Sequence, residues 1–271
     1  MKDLTIAFIG AGNMARSLVN GLLAAGVDAG HIRASDPDAG QRARLAALGI
    51  VAVDTNRQAV AGADVVVLAV KPQVLGDVLS ELPVEAGQLV VSIAAGVPLE
   101  ALERWTPAGT AIVRCMPNTP ALLGAGITGL FANPAVSAGQ RASADAVLAS
   151  AGRTVWVDDE DLLDAVTAVS GSGPAYFFYL MEAMIDAGEA LGLDRDTATL
   201  LTLETAYGAA RMAREGDEPP GRLRANVTSP GGTTERALSI LDDGGVRQAL
   251  NDAIAGAAQR ARELAKDIGQ S

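Results

Sequence analysis

The chain has 271 residues, 49% hydrophobic and 20% charged, enough apolar surface for two modest domains or one domain with an appendage, and too much for a disordered chain. With 21 basic against 32 acidic residues the formal charge is -11, which excludes a general binder of nucleic acid or of anionic membrane surfaces. A single cysteine, Cys115, and a single histidine, His31, exclude an intrachain disulfide, a multi-cysteine zinc site and a histidine cage, so no metal site is expected.

Met1-Lys2-Asp3 runs straight into a strand-like segment, so no targeting leader is expected. The strands predicted in chain order are Leu4–Ile9, Ile32–Ser35, Ile50–Val53, Val65–Val70, Leu89–Ala94 and Ala111–Cys115. Most are apolar on both faces, the mark of a parallel sheet covered by helices on both sides. Amphipathic segments lie between them, at Met14–Ala25, Gln41–Leu48 and Gln73–Leu82, and two further strands, Ile127–Ala132 and Thr154–Val157, flank a helix near Ser137–Ala151. This alternation predicts a doubly wound α/β domain over residues 1–158. From residue 159 to 271 the pattern is helical: Asp161–Val169, Ala175–Leu191, Arg195–Arg214, Thr234–Leu241 and Val246–Ile268. The uncharged stretches 115–140 and 165–181 are broken by prolines and by Gly171-Ser172-Gly173-Pro174, short of the roughly 20 continuous apolar residues of a membrane span. A cytoplasmic protein with no membrane partner is expected. Tyr176, Phe177, Phe178 and Tyr179 make one turn apolar all round, so that helix is central either to its domain or to a subunit interface.

Leu4–Ile9 leads into Gly10-Ala11-Gly12-Asn13-Met14-Ala15 and then a helix, a G-x-G-x-x-A turn in strand–turn–helix context. Gly10 permits the tight turn, Gly12 lets a pyrophosphate approach the backbone, and Ala15 allows helix and strand to pack closely. The helix N-terminus adds free N–H groups and a partial positive charge, so a dinucleotide is the expected ligand. The second predicted strand ends Ser35-Asp36-Pro37-Asp38. Asp36 reads either as a holder of the NAD ribose hydroxyls or as a helix cap, while Ser35 with Arg33, Arg42 and Arg44 suits a 2′-phosphate. The helical half carries two more glycine-rich helix starts, Ser170–Pro174 and Asn226–Thr234, each either an anion site or an ordinary capped turn.

Five segments together carry a resemblance: Phe8–Ala15, Val-Leu-Ala-Val-Lys-Pro-Gln at 67–73, Arg-Cys-Met-Pro-Asn-Thr-Pro at 114–120, Ser170–Tyr176 and Leu223–Leu238. On these the chain resembles the pyrroline-5-carboxylate reductases, and Leu223–Leu238 resembles that family's C-terminal signature. The resemblance implies an N-terminal Rossmann-type domain followed by an all-helical C-terminal dimerisation domain that interlocks two subunits, with homodimers assembled into a larger ring. It implies reduction of L-1-pyrroline-5-carboxylate to L-proline with NADPH, NADH remaining open because Asp36 stands beside Ser35. By the same resemblance Gly10, Gly12, Asn13 and Met14 line the pyrophosphate and Ser35 sits near the adenosine ribose. Asn56, Ala69, Lys71 and Pro72 lie along the cofactor's middle, and Met116, Pro117 and Asn118 approach the nicotinamide. Ser229, Gly231, Gly232, Thr233 and Thr234 bind the substrate, the Thr234 hydroxyl near the ring nitrogen as the catalytic contact.

The scarcity of acid–base residues agrees with that chemistry, because a protonated cyclic imine is already an electrophile and needs only orientation, water exclusion and a hydrogen bond at nitrogen. His31 reads as a surface residue and Cys115 as packing, since no histidine is near to activate it. A β-hydroxyacid dehydrogenase would need a general base, commonly a lysine at a glycine-rich helix start. The three lysines here are Lys2, Lys71 and Lys266, none of them in the 171–191 helix. A non-catalytic dinucleotide sensor is the other rival, and it has no need of an anion-binding turn at 230–234.

Overall fold

The computed structural model describes residues 4–269; residues 1–3, on which the reading of the leader rests, lie outside them. Eight strands follow one another as β1 (Ile6–Ile9), β2 (Ile32–Ser35), β3 (Val51–Val53), β4 (Val65–Leu68), β5 (Leu89–Ser92), β6 (Ala111–Met116), β7 (Gly126–Ala132) and β8 (Gly152–Trp156). They form one sheet in the order β3-β2-β1-β4-β5-β6-β7-β8. Every pairing is parallel except β6 with β7. The exception has a local cause. Residues 117–125 include a short 3-10 turn, Thr119–Leu123, ended by Gly124 at φ +67°, and are too few for a parallel crossover of about a dozen residues.

The helices are α1 (Asn13–Ala24), α2 (Ala39–Ala46), α3 (Asn56–Val60), α4 (Leu75–Glu81), α5 (Leu99–Arg104), α6 (Ala138–Ala149), α7 (Leu162–Val166), α8 (Gly173–Ala190), α9 (Arg195–Glu215), α10 (Pro220–Asn226), α11 (Thr233–Asp243) and α12 (Val246–Gly269). Alternation along the strands splits the core into two layers. Ile6, Phe8, Val65, Val67, Leu89 and Val91 pack with Leu18, Val19 and Leu22 of α1 and Val147 and Leu148 of α6. On the other face Ala7, Ile9, Val66, Leu68 and Val90 meet Val60 of α3, Leu75 and Leu79 of α4 and Leu102 of α5. The strands are therefore apolar on both sides, as the doubly wound reading requires.

Contacts divide the chain into two compact units. One holds the residues up to Ser172 together with those from Ala257 onward; the other is Gly173–Gly256. This division falls later than the expected change at 158/159, because α7 packs against β6 and β7 and leaves Leu163 buried. The final turns of α12 also join the sheet-bearing unit, with Ile268 packed on the second core layer. The helical unit has little interior of its own: α8 and α9 lie against each other, and the fully covered residues include only Ile185, Ala198 and Thr202 of those helices beyond Gly173. Phe177, Phe178 and Leu180 are exposed and Tyr179 is 75% accessible, so the aromatic turn is not central to its own unit.

Candidate functional site

In the order β3-β2-β1-β4-β5-β6 the chain builds outward from β1 in one direction and then from β4 in the other. The crevice at the carboxyl ends of β1 and β4 is the switch point at which such sheets take nucleotides. Gly10 occupies it at φ +100°, where a Cβ would lie 2.6 Å from the Ala69 carbonyl oxygen, so only glycine fits. The Gly10 N–H donates to the Ser35 carbonyl and the Ala69 N–H to that of Ile9, both at 2.8 Å, locking the turn between β2 and β4. Gly12 differs: it is the N-cap of α1 at φ -68°, no side chain caps the helix there, and a Cβ on it would meet nothing within 4 Å. Open space in front of uncapped amides is what a diphosphate requires. Asn13 and Met14 form the first turn, and Asn13 Oδ1 accepts from Arg16 Nη2 at 2.6 Å.

Ser35 and Asn56, 21 residues apart, come together at the end of β2, where the Ser35 hydroxyl donates to Asn56 Oδ1 at 2.7 Å. Asp36 is not a helix cap: Asp38 caps α2, accepting from the Gly40 N–H at 2.7 Å and the Gln41 N–H at 3.3 Å. The Asp36 carboxylate instead accepts from the N–H groups of Ala11 and Asp38, each at 2.8 Å. Beyond the switch point, Ala69 is half-buried and Lys71 exposed, and Pro72 opens a short 3-10 turn, Pro72–Val74.

At the end of β6, Met116 is half-buried while Pro117 and Asn118 are buried. Asn118 is held at both ends of its amide: Nδ2 donates to the Ser170 carbonyl at 3.1 Å and Oδ1 accepts the Ile127 N–H at 3.0 Å. Ser170 lies in a π-helical turn, Thr167–Gly171, that continues α7. Gly171 lets the Met116 methyl approach, since a Cβ there would sit 2.5 Å from it. The segment 170–174 is therefore not a bare glycine-rich helix start. The Ser172 N–H donates to the Thr167 carbonyl at 2.8 Å, so that amide is already bonded within the turn. Sequence reasoning also passed over the end of β5. Strand order places Ile93 to Gly96 between the loops that follow β4 and β6, so a molecule reaching from Gly10 to Met116 crosses it. The one signal there was the Ala-Gly pair at 95–96, with Gly96 at φ +75°.

In the helical unit the turn between α10 and α11 is tied by its own groups. The Gly232 N–H donates to the Ser229 carbonyl at 3.0 Å, and the Gly231 N–H to Glu235 Oε2 at 2.7 Å. The amides of Gly231 and Gly232, two of the residues expected to bind the substrate, are thus engaged inside the turn. The start of α11 keeps an anion-accepting end through Thr233 and Thr234, since its N-cap is Gly232 and no side chain caps it. Thr234 is half-buried and Ser229 exposed.

Titratable groups are sparse near these residues. Burial pushes the Cys115 thiol far above its ordinary value, against a smaller opposing pull from Arg114, so it is inert packing. His31 is half-buried in the 3-10 turn before β2. No group of three or more potential metal ligands occurs among the described residues.

A doubly wound sheet with an open glycine turn at its switch point defines a dinucleotide-dependent oxidoreductase. Residues 160–264 match the family model for pyrroline-5-carboxylate reductase dimerisation, and residues 5–96 match that for coenzyme F420-dependent NADP oxidoreductases. A pyrroline-5-carboxylate reductase of Pseudomonas aeruginosa is 55% identical over 100% of both chains. The chain belongs to the pyrroline-5-carboxylate reductase family. Among solved structures, the reductase of Coxiella burnetii superposes with a TM-score of 0.93 at 44% identity, covering 96% of this chain and 98% of that one. The Plasmodium falciparum pyrroline carboxylate reductase with NADP bound gives a TM-score of 0.86 at 28% identity, covering 98% and 99%. No helix among the described residues is long and apolar enough to cross a membrane.

Proposed function

We propose that the chain reduces L-1-pyrroline-5-carboxylate to L-proline with NADPH, NADH serving as an alternative. One observation carries the reading: an open, uncapped glycine turn at the strand switch point, in a chain related over its whole length to pyrroline-5-carboxylate reductases. The residues present fit the cofactor. Gly10, Gly12, Asn13 and Met14 would cradle the diphosphate, and Ser35 with Asn56 would meet the adenosine ribose. Ala69, Lys71 and Pro72 would follow the middle of the molecule, and Met116 and Pro117 would approach the nicotinamide. Asn118 supports that end from behind, through its bonds to Ser170 and Ile127.

The bound reduced nicotinamide supplies a hydride that, with one proton, saturates the C=N bond. This chain's part is to hold and orient. The first turn of α11, through the amides of Thr233 and Thr234, would take the substrate carboxylate, with Ser229, Gly231 and Gly232 shaping the turn. The Thr234 hydroxyl would hydrogen-bond the ring nitrogen and keep its proton in place. Orientation of two bound molecules supplies several kcal/mol of the barrier, so no base is required.

In this reading the sheet-bearing unit serves the cofactor, and the helical unit, Gly173–Gly256, the substrate and the subunit contact. The exposed aromatic turn of α8 and the match to a dimerisation model support a homodimer, and the family resemblance extends it to a ring of dimers. The free thiol of Cys115 and the need for a reduced nicotinamide pool suit the cytoplasm. The test is oxidation of NADPH and of NADH, followed by absorbance with the imine as substrate. Turnover is expected, and its absence with both cofactors would sink the proposal.

A further inference from the structure

An acidic residue at the end of the second strand of a doubly wound sheet ordinarily faces the ribose hydroxyls of NAD, and there it disfavours a 2′-phosphate. Asp36 holds that position in sequence, yet its side chain is engaged elsewhere. Its Oδ2 accepts the Ala11 N–H at 2.8 Å, from the middle of the glycine turn 25 residues away. Its Oδ1 accepts the Asp38 N–H at 2.8 Å, and its carbonyl accepts Arg42 Nη1 at 2.7 Å. Beside it, the Gly10 N–H is bound to the Ser35 carbonyl. The end of β2 therefore grips the glycine turn at two successive amides, Gly10 through backbone and Ala11 through a charged side chain. A hydrogen bond to a carboxylate is stronger than one between neutral groups, so the second grip fixes the plane of the Ala11 peptide. The next residue, Gly12, is the N-cap of α1, with no side-chain cap and open space where its own side chain would stand.

We propose that Asp36 is a positioning residue for the pyrophosphate turn: by binding the Ala11 N–H it aims the following amides at the diphosphate, and it supports NADH and NADPH alike instead of selecting between them. This rests on the dinucleotide reading of the turn. Discrimination at the 2′ position then falls to the hydrogen-bonded pair Ser35 and Asn56 and to the cations near them.

The experiment measures dissociation constants of NADH and NADPH for the full-length protein and for Asp36→Ala and Asp36→Asn, with steady-state kinetics beside them. Asp36→Ala should weaken both cofactors by a similar factor, about 5- to 30-fold for a lost charge-assisted bond acting through the turn. Asp36→Asn leaves one acceptor oxygen for the two N–H groups of Ala11 and Asp38 and turns its NH2 toward the other, so it should also weaken both cofactors by similar factors, no more than the Ala variant does. In both variants the cofactor KM should rise, while kcat at saturating cofactor and KM for the imine stay unchanged, a split that general loss of structure would not produce. A ribose-binding Asp36 would weaken NADH alone, and an Asp36 that repels the 2′-phosphate would tighten NADPH alone, in the Asn variant as well as in the Ala variant. Either result overturns the proposal, as do unchanged constants in Asp36→Ala. If Asp36→Ala fails to fold, the Asn arm decides: a similar loss for both cofactors supports the proposal, and a change in one cofactor alone, or in neither, overturns it. Wild-type protein that binds neither cofactor would overturn the dinucleotide reading itself, which separates the two failures.

Discussion

Gly10 and Gly12 stand two residues apart in one turn, and the structure assigns them different costs. An alanine at Gly10 would carry an L side chain at φ +100°, a left-handed conformation that costs about 1–2 kcal/mol. Its Cβ would also lie 2.6 Å from the oxygen and 2.8 Å from the carbon of the Ala69 carbonyl, which is backbone and cannot swing aside. Overpacking of that kind adds about 1–3 kcal/mol. The sum is about 2–5 kcal/mol, which for a protein of this size lowers Tm by roughly 4–20 °C. An alanine at Gly12 meets no atom within 4 Å and sits at φ -68°, so it loses only some preference at an N-cap, about 0.5–1 kcal/mol or roughly 1–4 °C. Its methyl nevertheless enters the space a diphosphate must fill, and the NADPH dissociation constant should rise on the order of tenfold or more. Thermal melts and a cofactor titration on both variants make the comparison. Equal Tm losses, or an unchanged NADPH constant in Gly12→Ala, would refute the division of roles between the two glycines.

Thr234→Val keeps the shape and removes the hydroxyl; kcat/KM for the imine should fall about 5- to 150-fold, a loss of about 1–3 kcal/mol, with cofactor affinity unmoved. Wild-type turnover would reduce that residue to part of a helix start. Burial raises the Asp164 carboxyl above its ordinary value, in spite of Arg114 and Arg262 nearby. The folded state then holds that proton more tightly than the unfolded chain, so stability declines as pH rises from the ordinary value toward the raised one. Asp164→Asn should therefore raise Tm at pH 7 and change it little below about pH 4, as melts across pH will show. Phe178→Glu places a charge on the exposed aromatic turn of α8 and, under the proposed homodimer, should shift sedimentation at micromolar concentration from dimer to monomer. A dimer that survives the substitution would place the interface elsewhere.

The parallel core was legible because β1, β4 and β5 are apolar on both faces, a pattern that a sheet covered by helices on both sides demands and a half-solvated sheet does not tolerate. The glycine turn was legible because it follows a strand and opens a helix. What stayed hidden has physical reasons. The helices α3, α5 and α10 have 5, 6 and 7 residues, too few for a 3.6-residue period to repeat. The π-turn 167–171 leaves no periodic trace, and Gly171 followed by Pro174 imitates a break in the chain. The partners of Asp36 and of the Gly231 amide depend on groups 25 and four residues away, and composition at either end announces neither. Ser35 and Asn56 were each legible as residues for the cofactor; their hydrogen bond to one another was not.

The return of α12 to the sheet-bearing unit bears on how this chain can be divided. The end of α12 covers part of that unit: Leu264 and Ile268 lie beside Gly96, and Ile268 packs on the core layer of α3, α4 and α5. Arg104 Nη2 donates to the Gly269 carbonyl, and Arg262 lies 3.6 Å from Asp164. The cofactor half is thus discontinuous in sequence, with the whole helical unit inserted between its main body and its last turns. A gene cut at residue 158 or 172 would not release a finished nucleotide-binding module. It would bare the apolar seam that α12 closes and leave Asp164 short of a cation or missing altogether. Domain exchange with other dinucleotide enzymes would have to transplant the last helical turns along with the sheet.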